Sequence, residues 1–437
     1  MTGTSFGPQP RRPRAETTGS FLVLLDQEDQ PAGVRALQQA MGVSIANAAD
    51  LPEGATGPPS GTAGIQFPGL GVAVVDVPPD THPRLQAIAE ESRAVHAVEA
   101  ERVVYAADAL LTGEGSTYLD GYRDAVTTVI DNLRATSNGQ TAQTTVRQTR
   151  IWDESQATWG LQATGVTDSP YSGRDVKVAV LDTGFDLAHP DFASRTIISQ
   201  SFVPGQDVQD IAGHGTHCIG TACGPRQPAT LPRYGIAYNA GIFAGKVLDN
   251  TGRGADRNIL AGINWAVTNA CKVVSMSLGA PTNIGQLYST VFENVARRAM
   301  NADTLIVAAA GNDSRRHDGL IAPVEHPANC PSIIAVAAVD EDLDVADFSC
   351  GGINANGGEV NIAAPGVNVY SSWPLPTRYR RLSGTSMATP HVAGITALLA
   401  EAKPAAGPLD LADLLLANAR TLSLPARDVG AGLVQAP

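Results

Sequence analysis

Three short segments carry side chains able to act together on a carbonyl group. In Val178-Ala-Val-Leu-Asp182-Thr-Gly184 an apolar run ends in a carboxylate followed by a glycine turn. A carboxylate at the C-terminal end of such a strand sits on the edge of an open sheet where ligands bind. Gly213-His214-Gly215-Thr216-His217-Cys218 places a histidine at a helix start, between residues that permit close backbone approach. Gly384-Thr385-Ser386-Met387-Ala388-Thr389-Pro390-His391 places a serine at the start of another helix. A serine hydroxyl is a poor nucleophile at neutral pH and needs a base to take its proton during attack. His214 would be that base, and Asp182 would orient its ring and stabilise the imidazolium. Ser386 would also offer its own backbone N–H to a developing oxyanion, aided by the helix dipole. Singly these residues read as a turn-forming Asp, a capping His and a loop Ser. Together, in the order Asp, His, Ser, they point to nucleophilic acyl transfer.

The elements that must position them follow from hydrophobic patterning. From residue 177 onward, the apolar runs 178–181, 241–246, 273–276, 304–309 and 333–337 read as strands buried on both faces. Segments 255–268, 287–300 and 389–402 read as the helices between them. This alternation predicts an α/β fold with a doubly wound, mainly parallel sheet over 151–437. Ahead of it, residues 20–106 predict a small α+β, ferredoxin-like domain in the order β-α-β-β-α-β. Its strands are placed at 21–25, 43–46, 71–77 and 97–105, its helices at 32–41 and 83–91, with a Gly- and Pro-rich loop at 51–67. Residues 1–19 are expected to be disordered. In 107–150, Leu119, Tyr122, Ala125, Val126, Ile130 and Leu133 fall at helical spacing. The polar run 137–149 after them reads as an exposed linker open to proteolytic nicking.

The three segments resemble the signature segments of the subtilases, and the resemblance runs from about 177 to 436, including the ending Gly430-Ala-Gly-Leu-Val-Gln-Ala436. The 20–106 domain is similar in pattern to the propeptide inhibitor domain that precedes many subtilases. The resemblance implies a serine endopeptidase made as a self-processing zymogen, with its own prodomain in cis and peptides or proteins as substrate. The competing reading is a catalytically silent, peptide-binding pseudoprotease, which would usually lack a member of Asp182, His214 and Ser386. By resemblance Asn312, after the apolar run 305–310 and Gly311, supplies a second oxyanion donor. Ser277-Leu278-Gly279 and Gly252-Arg253-Gly254 would take the substrate as an added strand, their glycines letting its backbone approach. Glu325 falls at the floor of the pocket for the residue before the cleaved bond, and Asp313 at its rim. A recessed carboxylate is satisfied by a cation, so Arg or Lys is expected there. Arg147 and Arg150 lie in the linker, and the bond between Arg150 and Ile151 is the expected maturation site. The alternative is that Glu325 faces solvent or pairs with Arg315 or Arg316. No cofactor is required. The stretch 223–234 lacks the Asn-rich run of the family's tight calcium loop, and Asp191, which matches one ligand, cannot make a site alone. His217 and His391 have packing and hydrogen-bonding explanations.

Composition excludes other classes. The chain has 437 residues, 43% apolar and 17% charged, enough for two or three domains with large cores. A net charge of -13 with no basic stripe argues against nucleic acid. Arg11, Arg12 and Arg14 precede an apolar run of only 21–25, too short for a signal core or a membrane span. As written, the chain is expected to be cytoplasmic and monomeric, with no membrane partner, and secreted if a leader has been removed. Its five cysteines include an odd thiol. Cys218 reads as a buried helix thiol; the family resemblance brings the segments before Cys330 and Cys350 close together, which allows a disulfide in an exported protein and leaves it open in the cytosol.

Overall fold

The computed structural model describes residues 15–51, 59–106 and 152–437. The N-terminal unit runs β1 (Thr17–Leu25), α1 (Gln30–Met41), β2 (Ala46–Asn47), β3 (Gly64–Phe67), β4 (Val72–Val75), α2 (His82–Glu91) and β5 (Val95–Ala106). Its strands lie in the order β5-β1-β4-β3-β2, antiparallel except for the short parallel pair β2–β3. Asp29 caps α1 through the Ala32 N–H, and Gly42 ends it in the left-handed conformation. Strand alternation divides the apolar residues between two cores. Phe21, Val23 and Leu25 join one with α1 and α2, whereas Leu22 and Leu24 belong to the core of the larger unit.

Two placements differ from those read in the sequence. The strand beside β4 is β3, inside the stretch assigned to a loop, and of the 43–46 region only Ala46 pairs, with Asn47 after it, at the edge. Val43 and Ile45 pack against the α1–α2 core without joining the sheet. Gly64 makes β3 fit, since a Cβ there would stand 2.5 Å from the Val74 carbonyl oxygen of β4. β1 also begins at Thr17, within the segment expected to be disordered. The helix expected at 119–133, the linker 137–149 and the bond between Arg150 and Ile151 lie outside the described residues.

The larger unit opens with α3 (Trp159–Ala163) and builds one sheet from β6 (Lys177–Asp182), β7 (Ile197–Ser201), β8 (Gly241–Lys246), β10 (Val273–Met276), β12 (Leu305–Ala309), β13 (Ile334–Val339) and β14 (Ile362–Pro365). Their order is β7-β8-β6-β10-β12-β13-β14 and every pair is parallel. The helices are α4 (His214–Cys223), α5 (Asp256–Thr268), α6 (Thr290–Asn301), α7 (Thr385–Ala402), α8 (Pro408–Ala417) and α9 (Ala426–Val429). The strands β15 (Val369–Ser372) and β16 (Tyr379–Leu382) form a separate hairpin. Helix α7 is buried from Thr385 to Ala400 and packs across β10, β12, β13 and β14. The chain places β7 and β8 on one side of β6 and then crosses to β10 on the other, so the switch point of the sheet lies between β6 and β10. That is where open α/β sheets bind ligands.

Two short strands join the units. β9 (Arg253–Ala255) and β11 (Leu278–Gly279) both pair antiparallel with β5. No helix among the described residues is long and apolar enough to cross a membrane.

Candidate active site

Asp182 ends β6, which borders the switch point. Its Oδ1 accepts the Thr183 N–H at 2.7 Å and lies 2.7 Å from His214 Nδ1. His214 is the first residue of α4, after Gly213 at φ 92°. A second carboxylate, Asp210, fixes this junction and was missed in the sequence reading. It accepts the Gly213 N–H (2.7 Å), the Thr216 N–H (2.8 Å) and hydroxyl (2.7 Å), and the Thr183 hydroxyl (2.9 Å). Thr183 Oγ1 in turn accepts the Gly215 N–H at 2.8 Å, so strand end and helix start are locked together. The available signal was an Asp three residues before Gly213, the spacing of a carboxylate that caps a helix. Burial alone would lower the His214 pKa, but the Asp182 charge overrides it and holds the ring well above its ordinary value.

Ser386 is the second residue of α7 and fully buried. Its hydroxyl donates to the Ser277 carbonyl oxygen at 3.1 Å, while the Ser277 hydroxyl donates to the Ser386 carbonyl oxygen at 2.8 Å. The serine is therefore turned onto the end of β10 rather than onto His214. Cys218 lies near both, its Sγ 4.0 Å from His214 Nδ1 and 3.6 Å from the Ser386 carbonyl oxygen. Burial pushes this thiol up to about 11, so it stays protonated and a weak nucleophile. His217 Nε2 faces the carbonyl oxygens of Val369 (3.0 Å) and Arg380 (3.2 Å), and His391 Nδ1 faces that of Met387 (2.8 Å). Burial lowers them to about 3 and about 4, so both are neutral structural rings.

Asn312 lies beyond β12. Its Oδ1 accepts both the N–H and the hydroxyl of Thr385, each at 2.9 Å. These bonds fix the amide and leave Nδ2 as its donor end, beside the residue that precedes Ser386. The segments expected to receive a substrate strand hold the chain's own β5. Ala106 is registered on Leu278, Tyr105 on Gly279 and Val104 on Gly254, and the Ala106 N–H donates to the Gly252 carbonyl oxygen at 2.8 Å.

Glu325 is buried, with 5% of its surface exposed. Its Oε1 accepts the Asn312 N–H at 3.3 Å. A Cβ on Gly311 would lie 2.5 Å from its carboxyl carbon, and one on Gly279 would also run into the carboxyl group. Arg316 instead reaches Asp428 (2.9 Å) and the Ser349 carbonyl oxygen (2.9 Å), and Arg315 is exposed. Neither alternative for Glu325, solvent or an arginine partner, describes this arrangement. Burial, and then the charge of Asp313, push its carboxyl up to about 8.

The residues matching the family's calcium loop do not fit a cation. The Asp191 carboxylate accepts the Ala229 N–H (2.7 Å), the Tyr234 hydroxyl (2.5 Å) and the Tyr379 hydroxyl (3.1 Å). Three protein donors occupy the oxygens that a calcium ion would need. All five cysteines are buried and free, Cys330 and Cys350 included.

With this geometry in place, comparison with known proteins gives a consistent result. The model of the Subtilase family (Peptidase_S8) matches residues 173–432. The chain is 40% identical to subtilisin E of Bacillus subtilis (strain 168) over 246 residues, covering 56% of this chain and 60% of the relative. It is 39% identical to a subtilisin of Bacillus pumilus over 246 residues, covering 56% of this chain and 83% of that one. Among solved structures, sphericase matches with a TM-score of 0.56 and 30% identity, covering 65% of this chain and 99% of its own. The chain thus spans 60% of the length of subtilisin E.

Proposed function

The chain belongs to the subtilase family, and on that premise we propose that it is a serine endopeptidase kept as a zymogen by its own N-terminal unit. The observation that carries the reading is the buried Asp182–His214 pair at 2.7 Å, set against the helix start that bears Ser386. The mechanism requires the Ser386 hydroxyl to turn from the Ser277 carbonyl oxygen to His214. His214 removes that proton as Oγ attacks the scissile carbonyl, and Asp182 stabilises the imidazolium formed. The oxyanion is met by the Ser386 N–H at the positive end of α7 and by Asn312 Nδ2. His214 then returns the proton to the leaving amine, and water repeats the sequence on the acyl-enzyme.

Product-like docking of β5 supports the zymogen. Residues 103–106 fill the edges between β9 and β11 that a substrate strand would use. Glu99 accepts from the Ser289 hydroxyl (2.6 Å) and the Val291 N–H (3.1 Å) at the start of α6. Glu101 does the same for the Arg257 N–H (3.0 Å) at the start of α5. The N-terminal unit therefore caps two helices of the peptidase while blocking its cleft. Glu325, with Gly279 and Gly311 against its carboxyl, supports preference for Arg or Lys before the cleaved bond, and so supports maturation between Arg150 and Ile151. No step passes through calcium. In pure full-length protein Ser386→Ala is expected to abolish self-cleavage and fluorophosphonate labelling together. Cleavage at the same bond in the alanine variant would remove Ser386 from the mechanism.

A further inference from the structure

We propose that Asp256 forms a second carboxylate subsite, upstream of the pocket at Glu325, that selects a cationic side chain of the substrate; the proposal rests on the peptidase reading above. β9 ends at Ala255, and Asp256 begins α5. β5 pairs with β9 as far as Val103 opposite Ala255. The next residue along β5, Arg102, meets a side chain instead of a strand. Its backbone N–H donates to Asp256 Oδ2 at 2.9 Å, and its Nη1 lies 3.6 Å from the same oxygen. The Asp256 carboxylate thus continues the edge of β9 where the backbone has turned into the helix.

The surroundings leave that carboxylate dependent on a visiting cation. Asp256 is fully buried, and its other oxygen lies 3.0 Å from His326 Nε2. Burial and the nearby Arg102 lower the His326 pKa, so the ring meets Asp256 as a neutral donor. Arg257, the next residue, is turned away from Asp256 onto Glu101 at 2.8 Å and Asp76 at 2.5 Å, both in the N-terminal unit. The cation facing Asp256 is Arg102, which belongs to the N-terminal unit and leaves with it. A substrate strand in the register of β5 returns an N–H to Oδ2 whatever its sequence. Only Arg or Lys at the position of Arg102 returns the charge, in a charge-assisted contact on a largely desolvated floor.

The test uses enzyme matured from the full-length chain and peptides carrying residues 101–106 followed by a fluorogenic arginyl amide. The position of Arg102 holds Arg, its uncharged isostere citrulline, or Leu. Wild type should cleave the Arg peptide about fivefold to tenfold better in kcat/KM than the citrulline peptide, the range of one partly buried ion pair. Asp256→Asn should bring the two within about twofold. Citrulline removes the charge from the substrate side, so the first comparison stands even if the variant folds poorly. Equal rates for Arg and citrulline in wild type, or a ratio untouched by Asp256→Asn, would overturn the subsite alone. No hydrolysis of any peptide would overturn the peptidase reading and the subsite with it.

Discussion

At Glu325 a carboxyl group and a neighbouring carboxylate share a buried site, which moves the proton of Glu325 into the neutral range. With its pKa raised to about 8, Glu325 is protonated on the acid side and charged only on the alkaline side. A substrate cation binds the charged form, whereas a leucine is better tolerated against the neutral acid. The ratio of kcat/KM for Arg over Leu before the cleaved bond should therefore climb between pH 6 and pH 9. His214 titrates for both substrates alike and cancels from that ratio. Glu325→Gln should flatten the profile and lower the alkaline ratio by about tenfold, the value of one charge-assisted contact. A wild-type ratio independent of pH would place the group that selects the cation elsewhere. Asn312→Ala should reduce kcat by about 10²–10³, the loss measured for an oxyanion donor in a subtilisin. A kcat within threefold of wild type would deny Asn312 that part.

Helices α5 and α6 are held at their N-termini by the N-terminal unit, and that has a measurable consequence. Glu101 is fully buried between the start of α5 and the Arg257 side chain. Replacing it with Gln keeps the volume but removes the charge opposite a guanidinium, a loss of about 1.5–3 kcal/mol. Added in trans, residues 1–106 should inhibit the mature enzyme, and Glu101→Gln should raise the inhibition constant about tenfold or more. An unchanged constant would show that the edge pairing of β5 alone carries the inhibition. The same elements show what could be read in the sequence. Runs 241–246 and 273–276 coincide with β8 and β10, because a central parallel strand is apolar throughout and bounded by turns. β7 carries Ser199, Gln200 and Ser201 on a sheet edge, and its half-solvated pattern gave no such signal. β3 hid in a Gly-rich stretch because Gly64 serves backbone approach, not apolar patterning. Asp182 and His214 were legible as motif residues and Asp210 left only its spacing before Gly213, while Asp256 and His326 meet through a tertiary contact that no local spacing encodes.

At the scale of the whole molecule, the region where the family resemblance would place a tight calcium ion is tied together by protein groups. An ion bound about a thousandfold above its dissociation constant adds about 4 kcal/mol. In a domain this large, each kcal/mol moves the melting temperature by roughly 2 °C or somewhat more. Here the matching carboxylate, Asp191, is held by protein donors from two different segments. Ala229 and Tyr234 belong to the stretch after α4, and Tyr379 belongs to β16. Tyr370 stacks on Tyr379 with ring centroids 5.4 Å apart, so the knot also ties down the hairpin that leads to Ser386. Burial and the Asp191 charge push the Tyr234 hydroxyl far up, which keeps it protonated and donating. Stability should accordingly depend on these hydroxyls and not on calcium. In the Ser386→Ala background, which prevents self-digestion, millimolar calcium and excess chelator should give melting temperatures within about 1 °C of each other. Tyr234→Phe strands one oxygen of a mostly buried carboxylate, a cost of about 1–3 kcal/mol, and should lower the melting temperature by several degrees. A calcium-dependent rise of 5 °C or more, about 2 kcal/mol, would mean that a cation site elsewhere stabilises the fold.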